Sequence, residues 1–306
     1  MIKATIESMM FGFREILTWH TMKYALLSGL IVIGIWLSIG SVVWHNLVGV
    51  SEWLLGFLPL NMMISDGAWM LSTFLWMLIV FLTFAFVYIF LGNFILTKIS
   101  RQKYGAFSVI LMSSSALFWL LIWFINSAEI HAKISGFLKT LPYATVEHGL
   151  ATLFAAYILY NAVIISMLLM VNIFNRPLIK HLSTKHYDES VLKHHVVKSF
   201  THTLKDAAVF MLISLLLFPV LFVPVINLMV QIVLWIWLTK DTLQYNTASL
   251  VFEALDEEHY KAHRQEIWFI SFVTVLFNFV PLFNIFAPFF GEISMFHYWK
   301  QIDNSK

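Results

Sequence analysis

Cysteine is missing from all 306 residues. That excludes disulfides, thiolate metal sites and cysteine nucleophiles. Charge is scarce as well: Asp, Glu, Lys and Arg make up 12% of the chain, about half the ~25% usual in soluble domains. The net charge is only +2, which leaves no bulk field to draw a nucleic acid, and none is expected as a partner. HExxH, GxSxG, P-loop and paired intramembrane aspartates are all absent, so neither an enzyme nor a cofactor or metal is expected. No short apolar core followed by a small-residue cleavage pattern opens the chain. The first strongly apolar stretch starts near Tyr24 and is expected to remain in the mature protein.

What is present is apolar surface. Hydrophobic residues make up 60% of the chain and the mean hydropathy is +0.80, more than one core can hide. Lipid is therefore the solvent, and the class is an all-α integral membrane protein. The expectation is a single membrane domain over 1–306 with about four spanning helices, two proline-broken re-entrant pairs and an N-terminal amphipathic helix. In residues 1–20, Ile2, Ile6, Met9, Met10, Phe13 and Leu17 share one helical face. This reads as a helix lying on the membrane surface; a frayed tail is the alternative. Spanning helices are predicted at 24–48, 68–97, 106–126 and 149–175, within 24–175, each long enough for a ~30 Å hydrocarbon core.

Two later apolar stretches, 207–239 and 267–299, have 33 residues each, or ~50 Å as straight helices. Each is broken near its middle: Val223-Pro224-Val225-Ile226-Asn227 and Val280-Pro281-Leu282-Phe283-Asn284. Pro219 and Pro288 add further breaks. Proline removes a helical donor and Asn can cap a new start, so 206–300 is read as two hairpins that enter the membrane and leave on the same side. Long proline-kinked spanning helices are the competing reading. Lysine and arginine counts favour the hairpins. With four crossings and two re-entrant pairs, 17 lie on the side of the N-terminus and 2 opposite, against 14 and 5 if both stretches cross. The N-terminus is then cytoplasmic. Residues 176–205 form a basic, histidine-rich cytoplasmic segment, with Pro177 expected to turn the chain at once.

The residues now resemble a known family. Leu216-Leu217-Phe218-Pro219-Val220-Leu221-Phe222-Val223-Pro224-Val225-Ile226-Asn227, leading to Leu243-Gln244-Tyr245-Asn246, resembles the first hemi-penetrating pair of the CysZ sulfate permeases and the related etoposide-induced membrane proteins. Residues 277–291, with their proline-hydrophobic-hydrophobic-asparagine turn, resemble the second pair. Phe174-Asn175-Arg176-Pro177-Leu178 looks like the exit from the family's second long helix. The likeness covers 1–45 and 150–300, and 49–148 is read as an insertion without counterpart. Before their first long helix these permeases carry a glycine-hydrophobic-arginine motif associated with sulfate. The corresponding stretch is His20-Thr21-Met22-Lys23-Tyr24, where Lys23 keeps the cation and the glycine is absent. The resemblance implies an inner-membrane permease of bacteria that passes sulfate or a related oxyanion into the cytoplasm for cysteine synthesis, within a homo-oligomer in the lipid bilayer. A membrane-organising or partner-binding protein without flux is the alternative.

On physical grounds the half-helix starts after Pro224 and Pro281 would aim unpaired N–H groups and dipole ends at one spot, as anion sites in transporters do. Asn227 and Asn284 would add donors, or merely satisfy the backbone at each break. With Lys23 these are the expected anion-binding residues. Glu292, in Phe289-Phe290-Gly291-Glu292-Ile293, is either a coupling group within the membrane or a carboxylate at the headgroups two turns from Lys300. His259 and His263 stand four apart beside Glu258, but the neighbourhood reads as solvated helix surface. His181, His186, His194, His195 and His202 are read as headgroup-facing, with pH sensing as the competing role. Trp19, Trp44, Trp53, Trp69, Trp268 and Trp299 suit interfacial belts.

Because the chain has no thiol of its own, single-cysteine variants report topology directly. Glu258→Cys in intact spheroplasts is expected to resist an impermeant maleimide, whereas Thr140→Cys reacts. Labelling of both from outside would establish full crossings for the two late stretches.

Overall fold

The computed structural model describes residues 2–96, 101–187, 196–217, 226–252, 261–278 and 283–303. Pro219, Pro224, Pro281, His194, His195, Glu258 and His259 lie outside the described residues. Every regular element among those described is helical. They are α1 (Ile2–Ile16), α2 (Trp19–Leu55), α3 (Leu60–Leu96), α4 (Arg101–Lys139), α5 (Tyr143–Tyr187), α6 (Val196–Leu216), α7 (Ile226–Val251), α8 (Arg264–Asn278) and α9 (Ala287–Asp303), with a 3-10 turn at Phe283–Ile285. Four are long and apolar enough to cross a membrane, over Trp19–Leu55, Asn61–Val87, Phe107–Lys139 and Tyr143–Val171. These coincide with the four predicted spans.

The contacts divide the chain into two compact units, the first Met1–Val32, Ile164–Leu217 and Leu228–Lys306, the second Ile33–Val163 and Phe218–Asn227. In the second unit, ring and polar pairings set the directions. Ser65 meets His131 and Thr83 meets Trp119, so α3 and α4 are antiparallel. Glu52 meets His148, so the end of α2 lies beside the start of α5. Between them Val48, Leu55, Met63, Leu150 and Ala151 form a buried cluster. A Cβ at Gly67 would run into the Leu150 side chain, so glycine is what lets α3 approach α5. Outward, Ile125 is 81% exposed and Leu121 64%, as lipid-facing positions should be.

The first unit is built around α9. From Ala287 to Lys300 every residue but His297 is buried. Its sequence explains this: Phe289, Phe290, Ile293, Met295 and Phe296 place apolar groups on all sides, and such a helix must be enclosed. Phe277 meets Phe290, Thr274 meets Gly291 and His263 meets Tyr298, so α8 and α9 form an antiparallel pair. Likewise Phe210 meets Trp235 and His202 stacks on Tyr245, which makes α6 and α7 antiparallel. Each late stretch is therefore two helices, and long proline-kinked rods do not form. At 15 and 17 residues, α8 and α9 are ~22 and ~25 Å long, short of a ~30 Å core. Pro288 falls in the first turn of α9, where no intrahelical donor is needed.

Two expectations are corrected, and one gains a detail. The chain does not turn at Pro177, which lies inside α5. The helix continues because Leu178, Ile179, Leu182 and Ser183 just beyond it are buried, and that packing outweighs the ~3 kcal/mol that an internal proline costs. Second, the detail: α1 is amphipathic, and its apolar stripe is turned away from the protein. Ile6, Met10 and Phe13 are exposed, while Thr5, Ser8, Gly12 and Glu15 are buried. A Cβ at Gly12 would strike Ser294 Oγ and stand 3.2 Å from the Phe290 carbonyl oxygen, so the small face is what seats α1 on α9. Ser8 spends its hydroxyl on the Ala4 carbonyl (2.7 Å) and is buried without loss. Third, Trp299 is no interfacial residue: it is 0% exposed, packed on Phe252 and His263. Trp19 and Trp53 are exposed as a belt requires.

Gly291 carries the closest approach. A Cβ there would run into Leu243 Cδ1 and lie 2.8 Å from Thr274 Oγ1, with α7 and α8 pressed on α9 from two sides. Gly291→Ala is expected to cost ~1–3 kcal/mol through overpacking. A melting-temperature series in detergent checks this, and adding Leu243→Ala should recover part of the loss.

Candidate functional site

α9 brings a carboxylate into the interior of the first unit. Glu292 is 3% exposed, one residue beyond the glycine against which α7 and α8 close. Its charge acts on Arg176, which lies in α5 past the end of the fourth span. Burial pushes the Arg176 guanidinium down from its ordinary value, and the Glu292 carboxylate opposes that shift. Glu292 therefore lies inside the protein, within the field of a cation. Nothing in the sequence joins the two beyond their opposite charges, since 116 residues separate them.

The helices of the first unit also bury several hydroxyls. Ser183 of α5, Thr239 and Thr242 of α7, Ser271 of α8 and Ser294 of α9 are each 0% exposed. None of their hydroxyls has a hydrogen-bond partner among the described residues. A buried polar group left unbonded costs ~1–3 kcal/mol, so five on the elements that surround α9 call for a polar occupant. Hydroxyls and a guanidinium are the donors that a tetrahedral oxyanion accepts. These residues had not been singled out, because serine and threonine in an apolar run read as ordinary helix-packing residues.

The expected site residues are placed unevenly. Asn284 is half-buried in the 3-10 turn between α8 and α9. Asn227 falls in the first turn of α7 rather than before it. Lys23 is exposed on α2 and stands over the Tyr24 ring at 5.2 Å. No hydrogen bond or ion pair joins Lys23 to Asn284 or Glu292 among the described residues. His263 is partnered within the protein: its Nδ1 and the Tyr298 hydroxyl share a hydrogen bond at 2.9 Å, and burial pushes the Tyr298 phenol upward. No group of three or more metal-ligating side chains occurs among the described residues.

A second polar cluster lies where α1, α5 and α9 meet. Lys185 Nζ and His186 Nε2 reach Glu15 Oε1 at 3.1 and 3.2 Å. His297 is stacked on Phe11 with centroids 4.1 Å apart and is hydrogen-bonded to the Tyr187 hydroxyl. Gln301 Nε2 lies 3.2 Å from its other nitrogen. Burial first, and the nearby His186 second, push His297 down to about 4.

The family described as sulfate transporter CysZ/etoposide-induced protein 2.4 matches residues 103–288. The match begins inside the segment expected to lack a counterpart, so only 49–102 of it stays unmatched. No curated protein and no solved structure matches the chain.

His297 makes stability depend on pH. Its folded value of about 4 lies below the ordinary 6.5, so between those values the unfolded chain binds the extra proton and stability falls as pH falls. Above pH 6.5 the contribution is constant. Melting temperatures between pH 7 and 4.5 should therefore decline, and His297→Phe should flatten that part of the curve.

Proposed function

The chain belongs to the sulfate transporter CysZ/etoposide-induced protein 2.4 family, and from that premise we propose that it passes sulfate or a related tetrahedral oxyanion across the membrane into the cytoplasm. The observation that supports this reading is the first unit's set of buried, unpartnered hydroxyls, together with a buried Glu292 whose charge acts on Arg176. A dianion cannot share a small space with an uncompensated carboxylate. Arg176 offsets Glu292, so the anion meets hydroxyl donors and one guanidinium instead of a bare negative charge. In this reading the two late stretches are re-entrant, and Pro224, Asn227, Pro281 and Asn284 are the expected anion-binding residues of their turns. Lys23 draws the anion at the cytoplasmic mouth, and Glu292 is the coupling group. The protein sits as a homo-oligomer in a bacterial inner membrane, N-terminus in the cytoplasm.

Radiolabelled sulfate uptake into liposomes holding the purified protein tests this. The parent should accumulate sulfate above empty liposomes. Arg176→Ala should lower uptake at least tenfold, since charge-assisted hydrogen bonds contribute ~1.5–3 kcal/mol and ~1.4 kcal/mol is a factor of ten. Asn227→Ala with Asn284→Ala should also reduce it. Folded, correctly oriented parent with no uptake would reject sulfate flux and favour a partner-binding protein.

A further inference from the structure

Cations crowd one edge of the first unit. The rings of His20 and His181 lie 4.3 Å apart at 33°, joining the start of α2 to the end of α5. The charges of His181, Lys23 and Lys185 all act on His20, and among the described residues Glu15 is the only carboxylate that does. Glu15 is already engaged by Lys185 and His186. Two lysines thus face one spent carboxylate before any histidine takes a proton. The other groups at this edge are the Tyr24 ring, edge-on to His20 at 5.4 Å, and His297 of α9, which faces His186. His181 and Lys23 are exposed, so the excess charge is open to an anion.

Depth along the helix axes says which anion. The apolar run of α2 begins at Tyr24, four residues after His20, and that of α5 ends at Phe174, seven before His181. At 1.5 Å per residue the two rings stand ~6 and ~10 Å beyond the apolar ends. The headgroup layer occupies ~5–8 Å on each side of the core. Beside the cations, α1 turns Ile6, Met10 and Phe13 outward, and Trp19 is 58% exposed. Cations at phosphate depth bordered by exposed apolar side chains match the two parts of a phospholipid.

We propose that His20 and His181, with Lys185 and the field of Lys23, form a binding site for the phosphate of an anionic phospholipid. The phosphate bridges α2 and α5, and it permits both histidines to be protonated at once, which their 4.3 Å separation otherwise opposes. Burial first, then His181 and the nearby lysines, push His20 down from its ordinary value, and a bound phosphate opposes that shift, so binding strengthens as pH falls.

The test is lipid retention by the purified full chain, titrated with phosphatidylglycerol or phosphatidylcholine and read by native mass spectrometry and by melting temperature. At pH 6 phosphatidylglycerol should be retained and raise the melting temperature, with weaker retention at pH 8. Phosphatidylcholine should do neither. His20→Gln with His181→Gln should reduce retention about tenfold, the effect of losing ~1.4 kcal/mol. His181→Lys, which keeps the charge, should retain the lipid with a shallower pH dependence, since His20 still titrates. Equal retention of the two lipids, or an unchanged double variant, would overturn the proposal. Displacement of the lipid by sulfate more than by chloride at equal ionic strength would also overturn it, assigning the cations to a free oxyanion. None of these readings depends on whether the protein transports sulfate.

Discussion

The close approach of three helices to α9 is the constraint on which the first unit rests. α9 is apolar on every side and cannot face solvent or end in isolation. α1 comes near only because residue 12 is glycine; α7 and α8 do so because residue 291 is. This proximity draws Glu292, Ser294 and the hydroxyls of α7 and α8 into a shared interior. A looser assembly would admit lipid or water among the same groups, and would weaken the field of Glu292 at Arg176.

The second unit obeys a different economy. Its four long helices bury few side chains among themselves and leave large apolar residues outward, the pattern of a protein whose solvent is hydrocarbon. Helix association in lipid gains little from apolar burial and relies on small residues at the contact, which is the part Gly67 plays against Leu150. The polar contacts among these helices are few and specific, as with Trp119 Nε1 donating to Thr83 at 2.9 Å.

Much of this was legible in the sequence. Hydropathy located the four spans, and the two late stretches each hold an antiparallel helix pair among the described residues. Local periodicity failed where tertiary contact decided the outcome. It assigned α1 the correct stripe but could not tell that the small face would be the one against protein, because a glycine's fit depends on a helix some 280 residues away in sequence. Pro177 looked like a stop because its cost is local, whereas the burial of Leu178 and Leu182 that overrides it is not. Trp299 reads as an interfacial tryptophan until α9 is seen to be enclosed. For the same reason the interior of the first unit was found only in part: Glu292 is conspicuous in an apolar run, but buried threonines and serines look like any others until their unspent hydroxyls are seen together.

The seating of α1 on α9 also has a consequence for biogenesis. α1 leaves the ribosome some 280 residues before α9 and finds its place only when α9 has been made and inserted. Until then α1 has its outward stripe to hold it at the bilayer surface and its small, polar face without a counterpart. The docking of α1 on α9 is then a late step, slow in the manner of any contact between distant segments. A ribosome that stalls late would release a chain whose spans are all inserted but whose first helix has nowhere to dock, a ready mark for a membrane protease.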